Sequence, residues 1–248
     1  MCQYCLDVAG TRKVLGKALG RRSILQLAGA AAGLALAPRA FAAGDKAPPK
    51  PENVISPDAA LDRLVKGNAR YVEGVSRRHD FKHEREALSM GQNPYAAILS
   101  CADSRIAPEY CFDSARGDLF VCRIAGNFAS DEVTASLEYA VQVLNTPLIM
   151  VLGHEACGAV DATIKSVKDG TTLPGHLPSL VAALKPAVDA AKGDSGDMLT
   201  NAIRHNVSLN VDKLKSTAPI LKSFADDKRI RVVGGVYQLR SGKVELIG

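Results

Sequence analysis

Five residues in two short stretches could do chemistry in this chain. The segment 100–105, SCADSR, supplies Cys101, Asp103 and Arg105; the segment 153–158, GHEACG, supplies His154 and Cys157. Two thiolates and one imidazole form a ligand set suited to zinc. Three protein ligands leave a fourth position open for water or substrate, which separates catalytic zinc from closed structural zinc. A structural site usually recruits a fourth Cys or His and has no use for an aspartate–arginine pair. Asp103 and Arg105 stand two residues apart, so they share a face with Cys101 if the strand before them runs on; a loop here is the alternative. A charge-assisted pair would hold the carboxylate in one orientation beside the metal.

The elements that must position these residues follow from hydrophobic patterning. Residues 95–100, 119–124 and 148–152 are short apolar runs that read as buried strands. Helical patterns separate them, at 131–144 with Ser130 as N-cap and at 156–167. Near-continuous apolar strands alternating with helices predict an α/β fold, a mainly parallel sheet flanked by helices. Cys101 and His154 each close a strand-like run, so both fall at the carboxyl edge where such sheets bind ligands. Cys157 opens a helix, whose positive end favours thiolate. Further along, 180–191 and 197–214 read as helices, 229–239 as a strand and 243–247 as a closing strand. The hairpin between these last two adds an antiparallel C-terminal edge. Near the start, Ser56-Pro57-Asp58 reads as the cap of a helix running to Tyr71.

Cys-x-Asp-x-Arg followed about fifty residues on by His-x-x-Cys resembles the zinc signature of the β-class carbonic anhydrases. The resemblance spans 56–248. It implies one Zn2+ per chain and reversible hydration of carbon dioxide to bicarbonate by zinc-bound hydroxide. Asp103 would accept a hydrogen bond from that hydroxide and Arg105 would hold Asp103 off the metal; in some relatives this aspartate swings in as a fourth ligand. By position, the resemblance makes Gln92 a donor to a substrate oxygen and assigns the Gly158 N–H a similar part. Phe120, Ala125 and Tyr139 would surround the apolar substrate, some of them contributed by a dimer partner. Arg123 and Asn127 match the family's RIAGN segment. A homodimer or higher even oligomer is expected. Some relatives bind inhibitory bicarbonate with a Trp three residues before the first cysteine; that position is Ile98 here and the chain has no Trp. The open, active resting state is therefore expected. Two alternatives stay beside this reading: a carbonyl sulfide or carbon disulfide hydrolase on the same scaffold, and a non-catalytic zinc-stabilised binding module.

Charge is unevenly placed. Of 31 Lys and Arg, six precede residue 43, against one of the 26 acidic residues, so the remainder balances at 25 of each. That excludes an overall positive field for nucleic acid or anionic lipid. Residues 1–42 read as a twin-arginine-type signal peptide: Arg21-Arg22, an apolar run from Ile24 to Ala37, and Ala40-Phe41-Ala42 as the cleavage site. The run is too short to span a bilayer comfortably. Periplasmic location without later membrane contact follows; an uncleaved membrane anchor is the alternative. Export after folding would let zinc protect both thiolates from oxidation. Cys2-x-x-Cys5 lies within the leader. Residues 43–55 read as a linker, and 56–248 as the catalytic domain. Cys111 and Cys122 could pair as a disulfide or stay as buried thiols. Arg77-Arg78-His79, Lys82-His83, His176 and His205 read as solvated surface.

Overall fold

The computed structural model describes residues 49–247; the segment read as a signal peptide, with Cys2, Cys5 and its expected cleavage site, and the first part of the expected linker lie outside the described residues. The strands are β1 (Ala96–Ser100), β2 (Leu119–Arg123), β3 (Leu148–His154), β4 (Arg231–Tyr237) and β5 (Val244–Ile247), in the order β2-β1-β3-β4-β5. β1 to β4 run parallel and β5 pairs antiparallel with β4. The helices are α1 (Pro57–Val72), α2 (Phe81–Ser89), α3 (Pro108–Cys111), α4 (Asp131–Gln142), α5 (Gly158–Asp169), α6 (Leu177–Ala191), α7 (Met198–Ser216) and α8 (Ile220–Asp226).

Both faces of the sheet are covered, which is why β1 and β3 are buried along their whole length and read as continuous apolar runs. Ala97, Leu99, Ile149 and Val151 face a cluster built with α4 to α8, including Leu137, Leu184, Val207 and Leu221. Ala96, Ile98, Leu148, Met150 and Leu152 face the other way, against Ala60 and Leu64 of α1 and Phe112. Period-two alternation thus serves two cores at once.

Local signals set the helix starts. The Ser56 hydroxyl accepts the Ala59 N–H at 3.2 Å, Ser130 accepts that of Val133 at 3.4 Å and Asp197 that of Thr200 at 2.8 Å. α1 approaches α3 so closely that a Cβ on Gly67 would lie 2.0 Å from the Phe112 carbonyl oxygen. Next to it Asn68 is buried, donating to the carbonyls of Cys111 (3.0 Å) and Gly242 (2.8 Å) and accepting the Val244 N–H (2.8 Å). α1 is thereby tied to α3 and to the C-terminal hairpin.

The structure adds helices and settles two points that were left open. α2, α3 and α8 were not foreseen, being short or weakly apolar, and α6 begins at Leu177, three residues before the helix expected from 180. β1 stops at Ser100, so Asp103 and Arg105 lie on a turn rather than an extended strand. Cys111 and Cys122 are both free thiols and belong to opposite faces of the sheet, which rules out a bond between them. Burial pushes both thiols up, Cys111 to about 12.

Candidate metal centre and active site

Parallel pairing of β1 with β3 sets Ser100 opposite Leu152, so the chain leaves both strands side by side. Cys101 is the first residue past β1, His154 the last of β3, and Cys157 the N-cap of α5. Between the last two, Ala156 takes a left-handed backbone (φ 53°), the tight reversal that returns Cys157 to the strand end. Cys101 Sγ, Cys157 Sγ and the His154 ring lie within 4.8 Å of one another, all buried. His154 Nδ1 is 2.9 Å from the Glu155 carbonyl oxygen, to which it donates. That leaves Nε2 as an acceptor, and Nε2 is buried with no hydrogen-bond partner. A buried, unpartnered imidazole nitrogen beside two thiols is a costly arrangement unless a cation completes it. One ion at bonds of about 2.0–2.3 Å fits the donor set and the spacing.

The hydrogen bond between the two thiols pulls Cys101 down and, with burial, pushes Cys157 up, so that one proton is shared by the pair. The Gly126 N–H also donates to Cys101 Sγ at 3.3 Å.

Asp103 stands at the mouth of the cluster, its Oδ2 3.8 Å from His154 Nε2. Arg105 grips both carboxylate oxygens, Nε to Oδ1 at 2.9 Å and Nη2 to Oδ2 at 2.7 Å, and its own N–H adds a bond to Oδ1 at 2.9 Å. These bonds hold the carboxyl well below the usual carboxylate range. Arg105 Nη2 also donates to the Ala156 carbonyl at 3.2 Å, joining the loop after Cys101 to the one between His154 and Cys157.

A carbonic anhydrase family model matches residues 96–244, which contain every residue of this cluster. The chain belongs to the β-class carbonic anhydrases. It is 37% identical over 192 residues to carbonic anhydrase 2 of Mycobacterium tuberculosis, covering 77% of this chain and 93% of that one. It is 35% identical to a carbonic anhydrase of Mycolicibacterium smegmatis over the same shares. Among solved structures, the β-carbonic anhydrase CcaA superposes with a TM-score of 0.59 at 26% identity, covering 76% of this chain and 95% of that one. A tetrameric β-carbonic anhydrase of Sordaria macrospora shares the fold, with a TM-score of 0.60 at 24% identity, over 77% and 98%. β-Carbonic anhydrases are zinc enzymes, and this chain presents a Cys–His–Cys group able to bind a metal.

The other anticipated residues of this carbonic anhydrase are less gathered. Gly158 opens α5 directly after Cys157, with nothing within 4 Å of where a Cβ would stand. Ala125 lies half-buried on the turn after β2, next to Gly126. Gln92 is exposed and precedes β1, so the whole of that strand, about 17 Å of extended chain, separates it from Cys101. Phe120 stands opposite Ala97, four residues before Cys101, with its ring 6.3 Å from that of the half-exposed Tyr139. Within one chain these three line the far end and the β2 edge, not the metal cluster.

Arg123 has a part that sequence matching did not supply. From the end of β2 its Nε donates to the Cys101 carbonyl at 3.0 Å and its Nη2 to the Asp103 carbonyl at 2.7 Å. It braces the loop that carries one metal ligand and the carboxylate. The signal was its place at the end of a strand neighbouring β1, which needs the strand order to be read.

Proposed function

We propose that this chain hydrates carbon dioxide to bicarbonate reversibly, with one zinc held by Cys101, His154 and Cys157. The observation carrying this reading is the buried, unpartnered His154 Nε2 beside two thiols, with a restrained carboxylate 3.8 Å away. When bound, zinc supplies a Lewis acid that makes hydroxide available from water near neutral pH. The chain's own residues do the rest. Asp103, held as a carboxylate by Arg105, accepts a hydrogen bond from the attacking water and aims its lone pair at the carbon of carbon dioxide. Arg105 keeps the carboxylate from turning in as a ligand, which favours the open state. Gly158, the first residue of α5, would offer its backbone N–H to a product oxygen. Attack forms one carbon–oxygen bond while one C=O π bond of carbon dioxide opens, its electron pair going to the oxygen that becomes the bicarbonate oxyanion, and the proton lost by water passes to solvent or buffer.

Gln92, Phe120 and Tyr139 contribute to a second copy's site. Their displacement from their own cluster supports this, and dimers or larger even assemblies follow. Residues 1–42 direct the folded protein to the periplasm by the twin-arginine route; replacing Arg21 and Arg22 together by Lys should leave unprocessed precursor in the cytoplasm.

The experiment is stopped-flow carbon dioxide hydration by zinc-quantified protein over roughly pH 6.5–9. Activity rising with pH at about one zinc per chain, lost on chelation and regained with zinc, is the expected result. Activity confined to alkaline pH would indicate aspartate ligation. A metal-loaded protein inactive on carbon dioxide yet active on carbonyl sulfide or carbon disulfide would overturn the substrate assignment.

A further inference from the structure

We infer that Asn206 of α7 is a positioning residue for the metal-binding thiolate of Cys101, acting through the backbone of Gly126. The inference rests on the metal-site reading above. Cys101 Sγ accepts a backbone N–H from Gly126 at 3.3 Å. Gly126 sits in the left-handed region (φ 80°) of the turn after β2, a turn closed by the Asn127 N–H to the Ile124 carbonyl at 3.0 Å. The polar backbone groups that follow are buried at a helix interface and need partners. One stripe of α7 provides them. Asn206 Nδ2 donates to the Gly126 carbonyl at 2.8 Å, Asn210 Oδ1 accepts the Ala129 N–H at 2.7 Å, and Lys213 Nζ donates to the Ala129 carbonyl at 2.6 Å. Positions 206, 210 and 213 follow the four-and-three spacing of a single helix face.

The orientation of Asn206 is determined by its neighbour. Asn210 Nδ2 donates to Asn206 Oδ1 at 3.0 Å and to its carbonyl at 2.8 Å. With Oδ1 so engaged, the Asn206 amide must turn Nδ2 towards Gly126. On the other side the turn meets α6, where a Cβ on Gly126 would stand 2.8 Å from Leu184 Cδ1. Gly126 is thus held by its carbonyl on one side and by contact on the other, with its N–H aimed at the sulfur. Both asparagines are buried, Asn206 at 2% exposure and Asn210 at 7%, among Ile203, Val207 and Val211 of the same helix. Asparagine is a poor choice for a helix interior against an apolar core unless its amide is used. Here the use ends on the backbone donor of a metal ligand. An N–H aimed at a thiolate offsets part of its charge and fixes its direction, as other outer contacts of metal sites do.

The test compares the full-length chain with Asn206→Leu and with Ile203→Val, a methylene deletion one turn earlier on the same helix. Each is stripped of metal and reloaded with cobalt(II). The readouts are the thiolate-to-cobalt charge-transfer absorption and the affinity for cobalt against a chelator. Asn206→Leu is expected to move the band to longer wavelength, because a thiolate relieved of its N–H donor holds its electrons less tightly. Its affinity is expected to fall about tenfold or more. Ile203→Val is expected to leave the band in place even where its thermal stability falls. If Asn206→Leu does not fold, Asn206→Ser carries the same two readouts. A folded Asn206 variant with wild-type band and affinity would overturn the inference, as would an equal band shift in Ile203→Val. Failure of the wild-type chain to take up cobalt would instead overturn the metal reading on which it stands.

Discussion

Replacing Arg123 by Met should separate holding the metal from using it. Arg123 lends two donors to two carbonyls on one loop, those of Cys101 at 3.0 Å and Asp103 at 2.7 Å. Methionine keeps most of the aliphatic stem and removes both donors. Hydrogen bonds from a charged group contribute about 1.5–3 kcal/mol each. Arg123 is exposed, so water recovers part of this, and a net loss of about 1–3 kcal/mol is expected. For a domain of this size each kcal/mol lowers Tm by about 2–4 °C. The functional effect should be larger than the stability effect, since the freed loop carries the carboxylate proposed to orient the attacking water. kcat/KM for carbon dioxide should fall about 10–100-fold. Metal content should stay near that of the wild type, because His154 and Cys157 are anchored from β3 and α5. Arg123→Lys should recover little, since one ammonium cannot reproduce a rigid fork spanning two carbonyls. The assays are thermal unfolding, metal analysis and stopped-flow hydration on the same preparation. An Arg123→Met protein within twofold of wild-type kcat/KM would refute the idea that this brace positions Asp103.

Asp103→Ala should fold and keep its metal, since the carboxylate is not one of the three clustered donors, yet lose about 10²-fold or more in kcat; full activity in a metal-loaded variant would sink the assigned role. Gly67→Ala places a methyl 2.0 Å from a backbone carbonyl, so α1 must shift from Phe112; unfolding should show a loss of about 1–3 kcal/mol, with activity per folded molecule little changed. Cys111 should resist alkylation in the native protein at about pH 8.5, near the ordinary thiol pKa, and react once the chain is unfolded. Because its folded value is raised to about 12, the unfolded chain releases a proton that the folded one keeps. Stability therefore falls as pH rises from the ordinary thiol value towards 12, and Cys111→Ala should flatten that part of the profile in alkaline denaturation.

The alternation of strands and helices was readable because β1 and β3, covered on both faces, are continuously apolar, while α4 and α7 begin at Ser130 and Asp197 caps. α3 and α8 were not readable, being four and seven residues long and too short to show periodicity. The Asp103–Arg105 pair was anticipated from its two-residue spacing, but the geometry that makes it is a turn, in which Arg105 supplies a backbone N–H as well as its guanidinium.

By itself the sequence determined which atoms are available: two thiols and an imidazole of the right softness, a carboxylate with an arginine two residues on, and strand ends to carry them. Those are matters of residue type, short spacing and local periodicity, and they survive without knowledge of any long-range contact. Only the tertiary structure decided that β1 lies beside β3, which brings Cys101 to His154 across 53 residues of chain. It also assigned Arg123 and Asn206 their work and sent Gln92, Phe120 and Tyr139 away from their own cluster. The reason is physical. Strand order, register and helix docking are set by packing among residues far apart in sequence, and a side chain's hydrogen-bond partner across such a contact leaves no mark on its immediate neighbours.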